Sequence, residues 1–187
     1  MISVLIADDH SLIRSGLRLL LNSMAIKMQI SEAANAKSVM EQLKEQSFQL
    51  ILLDIQMPAT DPVVLMHWIQ SFYPDTKILI VSQNPEYIYG KRYLQLGAQG
   101  FVSKTAPDEE MTLAINKVLQ GSKYVSEQLK QSMMETMFSG KQSNPFDRLS
   151  QREFQIAICL SKKSPILNSR ICLKGKNVSE YAKISKC

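Results

Sequence analysis

Five side chains able to do chemistry stand where short apolar runs end. Asp8 and Asp9 follow residues 3–7, Asp54 lies inside the run 50–58, Ser82 closes residues 77–82, and Lys104 follows residues 100–103. Three carboxylates drawn to one place repel one another, and a hard divalent cation with oxygen ligands is the simplest remedy. Mg²⁺ suits a shallow site, because it needs few protein carboxylates and keeps several waters. Lys104 adds a positive point charge and Ser82 a short hydroxyl donor. This set fits phosphoryl transfer, which asks mainly for positioning and for neutralising the equatorial oxygens. A carboxylate can itself be the nucleophile, giving an acyl phosphate, and Asp54 is the candidate because the longest apolar run leads to it. Taken singly, each residue has a plainer role: Asp8 and Asp9 as helix caps, Asp54 as a loop start, Ser82 in a turn, Lys104 on the surface, Phe101 as core.

Chemistry of this kind needs strands that all end on one side. Residues 3–7, 29–33, 50–58, 77–82 and 100–103 read as buried strands or contain one. Between them, residues 11–22, 36–46, 62–72, 87–96 and 107–120 carry apolar positions at helical spacing. Leu12, Leu17, Leu20 and Leu21 mark the inner face of the first helix, with Arg14 and Arg18 elsewhere and Ser11 as its cap. Val39, Met40 and Leu43 face inward from the second. Pro62 suits a first helical turn, Gly97 closes the fourth helix, and Gly121 stops the fifth. Five strands alternating with five helices predict a doubly wound α/β fold whose parallel sheet is covered on both faces. Ligands of such sheets bind beyond the carboxyl ends of the strands, where these polar residues gather.

The 187 residues suffice for one well-buried domain and something smaller. No apolar run approaches the ~20 residues that span a bilayer, and the acidic start does not read as a secretory signal, so no membrane association is expected. Cys159, Cys172 and Cys187 read as reduced thiols of a cytoplasmic protein, and His10 and His67 are too few for zinc. The net charge of +5 is uneven: residues 1–130 carry 12 basic against 13 acidic side chains, residues 131–187 carry 10 against 4. That asymmetry suggests a neutral module joined to a segment that meets a polyanion, although a solvated basic tail has the same composition. The absence of a cofactor fingerprint speaks against a metabolic enzyme.

The segments IADDHSLIRSGLRLLL, LILLDIQMP, ILIVS and GFVSK resemble the receiver domain of two-component response regulators, of the LuxR/FixJ (NarL-type) subgroup. The resemblance implies a flavodoxin-like (CheY-like) fold over residues 1–125, with Asp54 as phosphoacceptor and a sensor histidine kinase as donor. It further implies Mg²⁺ held by Asp9 directly, Asp8 through water, Asp54, and the backbone carbonyl of Gln56. Ser82 would bind a phosphoryl oxygen, Lys104 would pair with it, and Phe101 would swing inward as Ser82 moves, with homodimerisation on phosphorylation. Ala59 to Pro62 stand where glycines are common in the family, which predicts a stiffer loop, and Thr105 replaces the usual proline after Lys104.

Residues 126–146 read as a linker, helical over 126–138, where Leu129, Met133, Met134 and Met137 recur at helical spacing. From 147 to 187 the chain resembles a LuxR-type helix-turn-helix: Ser150 and Glu153 have capping-box spacing ahead of Phe154, Ile156, Ala157 and Leu160. Lys176, Asn177, Ser179 and Lys183 would then face DNA. Pro165 interrupts the scaffold helix, and the sequence reaches only about two turns into the recognition helix, so this small all-α segment is expected to be incomplete or divergent. Two functions compete: a phosphorylation-controlled transcription regulator, and a receiver-only protein acting by protein contact or as a phosphate sink.

Overall fold

The computed structural model of the chain describes residues 1–59, 61–139, 146, 149, 150, 153, 154, 156 and 157. Strands β1 (Ile2–Ala7), β2 (Met28–Ala33), β3 (Leu50–Leu53), β4 (Lys77–Ser82) and β5 (Gly100–Ser103) alternate with helices α1 (Ser11–Ser23), α2 (Ala36–Glu45), α3 (Pro62–Phe72), α4 (Glu86–Gln95) and α5 (Asp108–Leu119). The helix α6 (Glu127–Ser139) follows. The strands pair in parallel in the order β2-β1-β3-β4-β5, the CheY-like receiver arrangement expected from the sequence. Two compact units divide the chain, Met1–Met133 and Met134–Cys187.

Alternation of side chains decides which layer each strand residue joins. Val4, Ile6, Leu50, Leu52, Leu79, Val81 and Val102 face one layer with Leu17 and Leu21 of α1 and Met111, Ala114, Ile115 and Val118 of α5. The intervening Leu5, Ile51, Leu53, Ile78, Ile80 and Phe101 are buried as well, so both faces of the sheet are covered. That is why β3 reads as an uninterrupted apolar run.

Local chemistry sets the helix ends. Asp61 accepts hydrogen bonds from the N–H groups of Val63 and Val64 at 2.9 and 3.3 Å, with Pro62 in the first turn of α3 where its missing N–H costs nothing. Asn35 and Ser38 form a reciprocal capping box on α2. Gly121 adopts φ 85° just past α5, a conformation costly for residues with a Cβ. Two sequence expectations for α1 fail. His10, with extended backbone and no side-chain capping bond, is the cap residue, and Ser11 lies within the helix. Leu12 is 82% exposed, because the buried stripe narrows to Leu17 and Leu21 where α1 meets the sheet.

In the second unit, Glu153 Oε2 accepts from the Ser150 N–H at 2.9 Å and from its hydroxyl at 2.8 Å, and the Glu153 N–H points back to Ser150 Oγ at 3.4 Å. The expected capping box is therefore present. Phe154 and Ala157 are buried, Phe154 packing edge-on against Phe146, whereas Ile156 is exposed. Met134 is exposed too, so the methionine stripe of α6 is not a continuous buried face.

Candidate functional site

One residue beyond the strands, backbone bonds tie β1 to β2, β3 to β1 and β5 to β4. The Asp54 N–H donates to Ala7 O at 2.8 Å, the Asp8 N–H to Ala33 O at 3.1 Å, and the Lys104 N–H to Ser82 O at 2.9 Å. The sheet register thus carries Asp8, Asp54 and Lys104 to one rim. β1 sits between β2 and β3, where the strand order reverses, the usual ligand-binding crevice of such sheets.

Asp8 and Asp54 are almost fully buried. Lys104 Nζ lies 2.6 Å from Asp8 Oδ2 and 2.8 Å from Asp54 Oδ2, bridging the two. The other Asp54 oxygen accepts the Gln56 N–H at 3.0 Å. Burial pushes the Asp54 carboxyl above its ordinary pKa, reinforced by the charge of Asp8 and outweighing Lys104 and the Gln56 N–H. Burial opposes the charge on Lys104 too, but its contacts with Asp54 and Asp8 prevail and raise its pKa. Lys104 therefore stays charged while the carboxylates around it remain under-compensated.

Asp8, Asp9, His10 and Asp54 each place one donor atom within 4.8 Å of the others. His10 Nδ1 lies 3.1 Å from Asp8 Oδ1 and 2.9 Å from Asp9 Oδ1. Oδ2 of Asp8 meets the Lys104 ammonium, and Oδ1 of Asp9 faces His10 Nδ1. Three carboxylates against one ammonium leave excess negative charge in a buried place, and that donor chemistry fits a divalent cation with oxygen ligands.

Ser82 is fully buried at the end of β4, opposite Ser103 in register, and its Oγ accepts the Asn84 N–H at 3.1 Å. Phe101 is 1% exposed, packed inward in β5 opposite Ile80. The structure thus gathers Asp8, Asp9, Asp54 and Lys104 directly, with Ser82 on the next strand end. Gln56 is held there by its N–H. Ala59 takes φ 53°, a left-handed conformation uncommon for a residue with a Cβ. Lys176, Asn177, Ser179 and Lys183 lie outside the described residues, as do Pro165 and the two helices expected around them.

Sequence reasoning missed two supports of this rim. Glu32 on β2 accepts from Arg14 Nε at 2.9 Å and Arg18 Nε at 2.7 Å, while Arg14 Nη1 donates to the Asp8 carbonyl at 2.8 Å. The Arg14 bond, and Arg18 after it, hold the Glu32 carboxyl below its ordinary pKa against the opposing effect of burial. The i, i+4 spacing of the two arginines on α1 is a visible signal; their acceptor on β2 is not. His10 was the other, dismissed for zinc because no second histidine is near in sequence.

Residues 4–116 match the response regulator receiver domain. The chain is 32% identical over 183 residues to the response regulator GacA of Pseudomonas protegens, covering 97% of this chain and 86% of that protein. A LuxR family DNA-binding response regulator from Silicibacter pomeroyi superposes with a TM-score of 0.60 at 27% identity, over 68% of this chain and 99% of that one. RcsB from Salmonella enterica serovar Typhimurium, in a structure bound to promoter rprA, superposes with a TM-score of 0.68 over 87% of this chain and 78% of that one; at 20% identity it speaks for the fold alone.

Proposed function

The chain belongs to the response-regulator family, and from that premise we propose that it takes a phosphoryl group on Asp54 from a sensor histidine kinase and thereby controls transcription. The observation that carries this reading is the buried Asp54 carboxylate, 2.8 Å from Lys104 and raised in pKa by its burial, at the switch point of a parallel sheet. Asp54 attacks phosphorus in line, the new O–P bond forms as the P–N bond of the phosphohistidine breaks, and the imidazole leaves. Lys104 shifts from the carboxylate pair to an oxygen of the transferred group, and Ser82 turns its hydroxyl to another. Asp8, Asp9, Asp54 and the Gln56 carbonyl would hold Mg²⁺, which supplies charge neutralisation at the transferring oxygens. Phe101 is already buried, so instead of swinging in from the surface it repacks as Ser82 turns, and one of two conformations is favoured.

On this reading residues 1–125 form the receiver, 126–146 a linker, and 147–187 a LuxR-type segment that binds DNA through Lys176, Asn177, Ser179 and Lys183, with phosphorylation favouring a homodimer. The protein is a signalling switch rather than an enzyme of metabolism, and it works in the cytoplasm, where its kinase's phosphohistidine is presented. No described helix is long and apolar enough to cross a membrane. GacA, 32% identical to this chain, is named a response regulator, and the 27% identical Silicibacter pomeroyi protein a LuxR family DNA-binding response regulator; those names support the transcriptional reading over a receiver-only phosphate sink. Binding of the full chain to a panel of DNA duplexes, with and without acetyl phosphate and Mg²⁺, tests it. Sequence-selective binding that tightens on phosphorylation is expected. Binding that depends on salt alone, with no preference among duplexes, would overturn the transcriptional output and favour the receiver-only reading.

A further inference from the structure

The chain that leaves α5 is built into the receiver. Tyr124 forms a parallel bridge with Gly100, its N–H donating to Gln99 O at 2.8 Å. It therefore lies on the outer edge of β5, the side on which the sheet order leaves that strand unpaired. The Tyr124 ring is buried, and its hydroxyl donates to Glu110 Oε1 at 2.8 Å. Two residues on, the Ser126 N–H donates to Glu86 Oε1, in the first turn of α4, at 3.4 Å. Ser126 Oγ accepts the Leu129 N–H at 3.2 Å, and the Leu129 side chain is buried.

Two glycines make room for this strap. A Cβ on Gly90 would stand 2.8 Å from Leu129 Cδ2 and 2.9 Å from Glu86 Cγ, and one on Gly100 would stand 3.0 Å from Tyr124 Cβ. Both anchors adjoin the residues that respond to phosphate on the reading proposed above. Gly100 immediately precedes Phe101 in β5. Glu86 is four residues past Ser82, whose Oγ accepts the Asn84 N–H at 3.1 Å on the way.

We propose that residues 123–129 are a latch, closed over β5 and α4 while Asp54 is unphosphorylated and released when it is phosphorylated. This rests on the reading of Asp54 and Ser82 given above. When the Ser82 hydroxyl turns to the phosphoryl group it gives up the Asn84 N–H, and the turn into α4 resets. Glu86 moves with that turn. Its bond to Ser126, at 3.4 Å, is the longest in the strap and the first to part. Burial, reinforced by the charge of Glu110, presses against the ionised Glu86 carboxylate, and the Ser126 hydroxyl and N–H oppose it, so the anchor depends on keeping both Ser126 contacts. Release frees the first turn of α6, and with it the chain that follows.

Hydrogen exchange on the full chain, with and without Mg²⁺ and beryllofluoride, tests the latch. Slower exchange at residues 54–59 and 82–84 reports that the phosphoryl site has been filled. In the same sample, the Tyr124 and Leu129 amides are expected to exchange about three- to tenfold faster, the factor that one or two lost hydrogen bonds allow. A filled site with unchanged or slower exchange at these two amides overturns the latch while leaving the phosphoacceptor reading intact. No response at either place removes both. Gly90→Met, a helix-compatible change that evicts Leu129, gives a second and independent test. Because coupling is reciprocal, the variant should bind beryllofluoride several-fold tighter than the wild type, with the β1 and β3 amides still protected. Equal or weaker binding overturns the latch.

Discussion

Replacing Lys104 with methionine keeps most of the length of the side chain and removes its charge. Asp8 and Asp54, at 2% and 1% exposure, then lose the one ammonium that bridges them at 2.6 and 2.8 Å. Breaking a buried pair by removing one partner costs about 3–5 kcal/mol, because the remaining charge is left uncompensated in a place that water cannot reach. With a urea m-value of about 1.5–2 kcal/mol/M, the unfolding midpoint of the metal-free receiver should fall by roughly 2 M. A cation bound among the same carboxylates replaces the missing charge, and at ten times its Kd it contributes about 1.4 kcal/mol. Mg²⁺ should therefore rescue Lys104→Met more than it stabilises the wild type, where Lys104 competes with it for Asp8 and Asp54. Urea melts of both proteins, with and without Mg²⁺ and slightly above neutral pH, decide the matter. An unchanged midpoint would show that Lys104 does not compensate the cluster. Equal stabilisation of both proteins by Mg²⁺ would show that the ion binds elsewhere.

Three further outcomes follow from the same contacts. Asp54 has a folded-state pKa above its unfolded value, so its contribution to stability is present below the unfolded pKa and is lost as pH rises through the folded one. Without metal, denaturant melts should show that loss, and Asp54→Asn should remove it. Glu32→Gln should cost about 1–2 kcal/mol by weakening the three charge-assisted hydrogen bonds from Arg14 and Arg18; since the Glu32 pKa is lowered, the wild-type advantage should be present above the unfolded pKa and fade as pH falls through the folded one in thermal melts. Leu52→Ala, at a fully buried position of β3, should cost about 2–5 kcal/mol by equilibrium unfolding while leaving Asp54 able to react.

The architecture was legible because each strand is a short apolar run and each run stops at a polar residue, a pattern that parallel strands buried on both faces can hardly avoid. Asp8, Asp54, Ser82 and Lys104 could be assigned to one rim on that ground alone. Asp61 and Pro62 marked the start of α3 through the same local chemistry that the structure shows. What could not be read depends on contacts between segments distant in sequence. Four leucines on α1 do not reveal how wide its buried stripe is, and Leu12 proved exposed. Ser11 has the chemistry of a cap, but the chain turns one residue earlier, at His10. Nothing near Glu32 announces two arginine partners on α1. Residues from 126 on read as linker, yet Leu129 is buried with Tyr124 in room that Gly90 and Gly100 leave opposite them.

The most direct test of the central claim is phosphate uptake by the wild type and by Asp54→Asn, with acetyl phosphate and Mg²⁺, followed by intact mass and by acid lability of the adduct. The wild type is expected to gain one acid-labile phosphoryl group, only when Mg²⁺ is present, and the variant none. Uptake by Asp54→Asn at the wild-type rate would contradict the assignment of Asp54 as the phosphoacceptor.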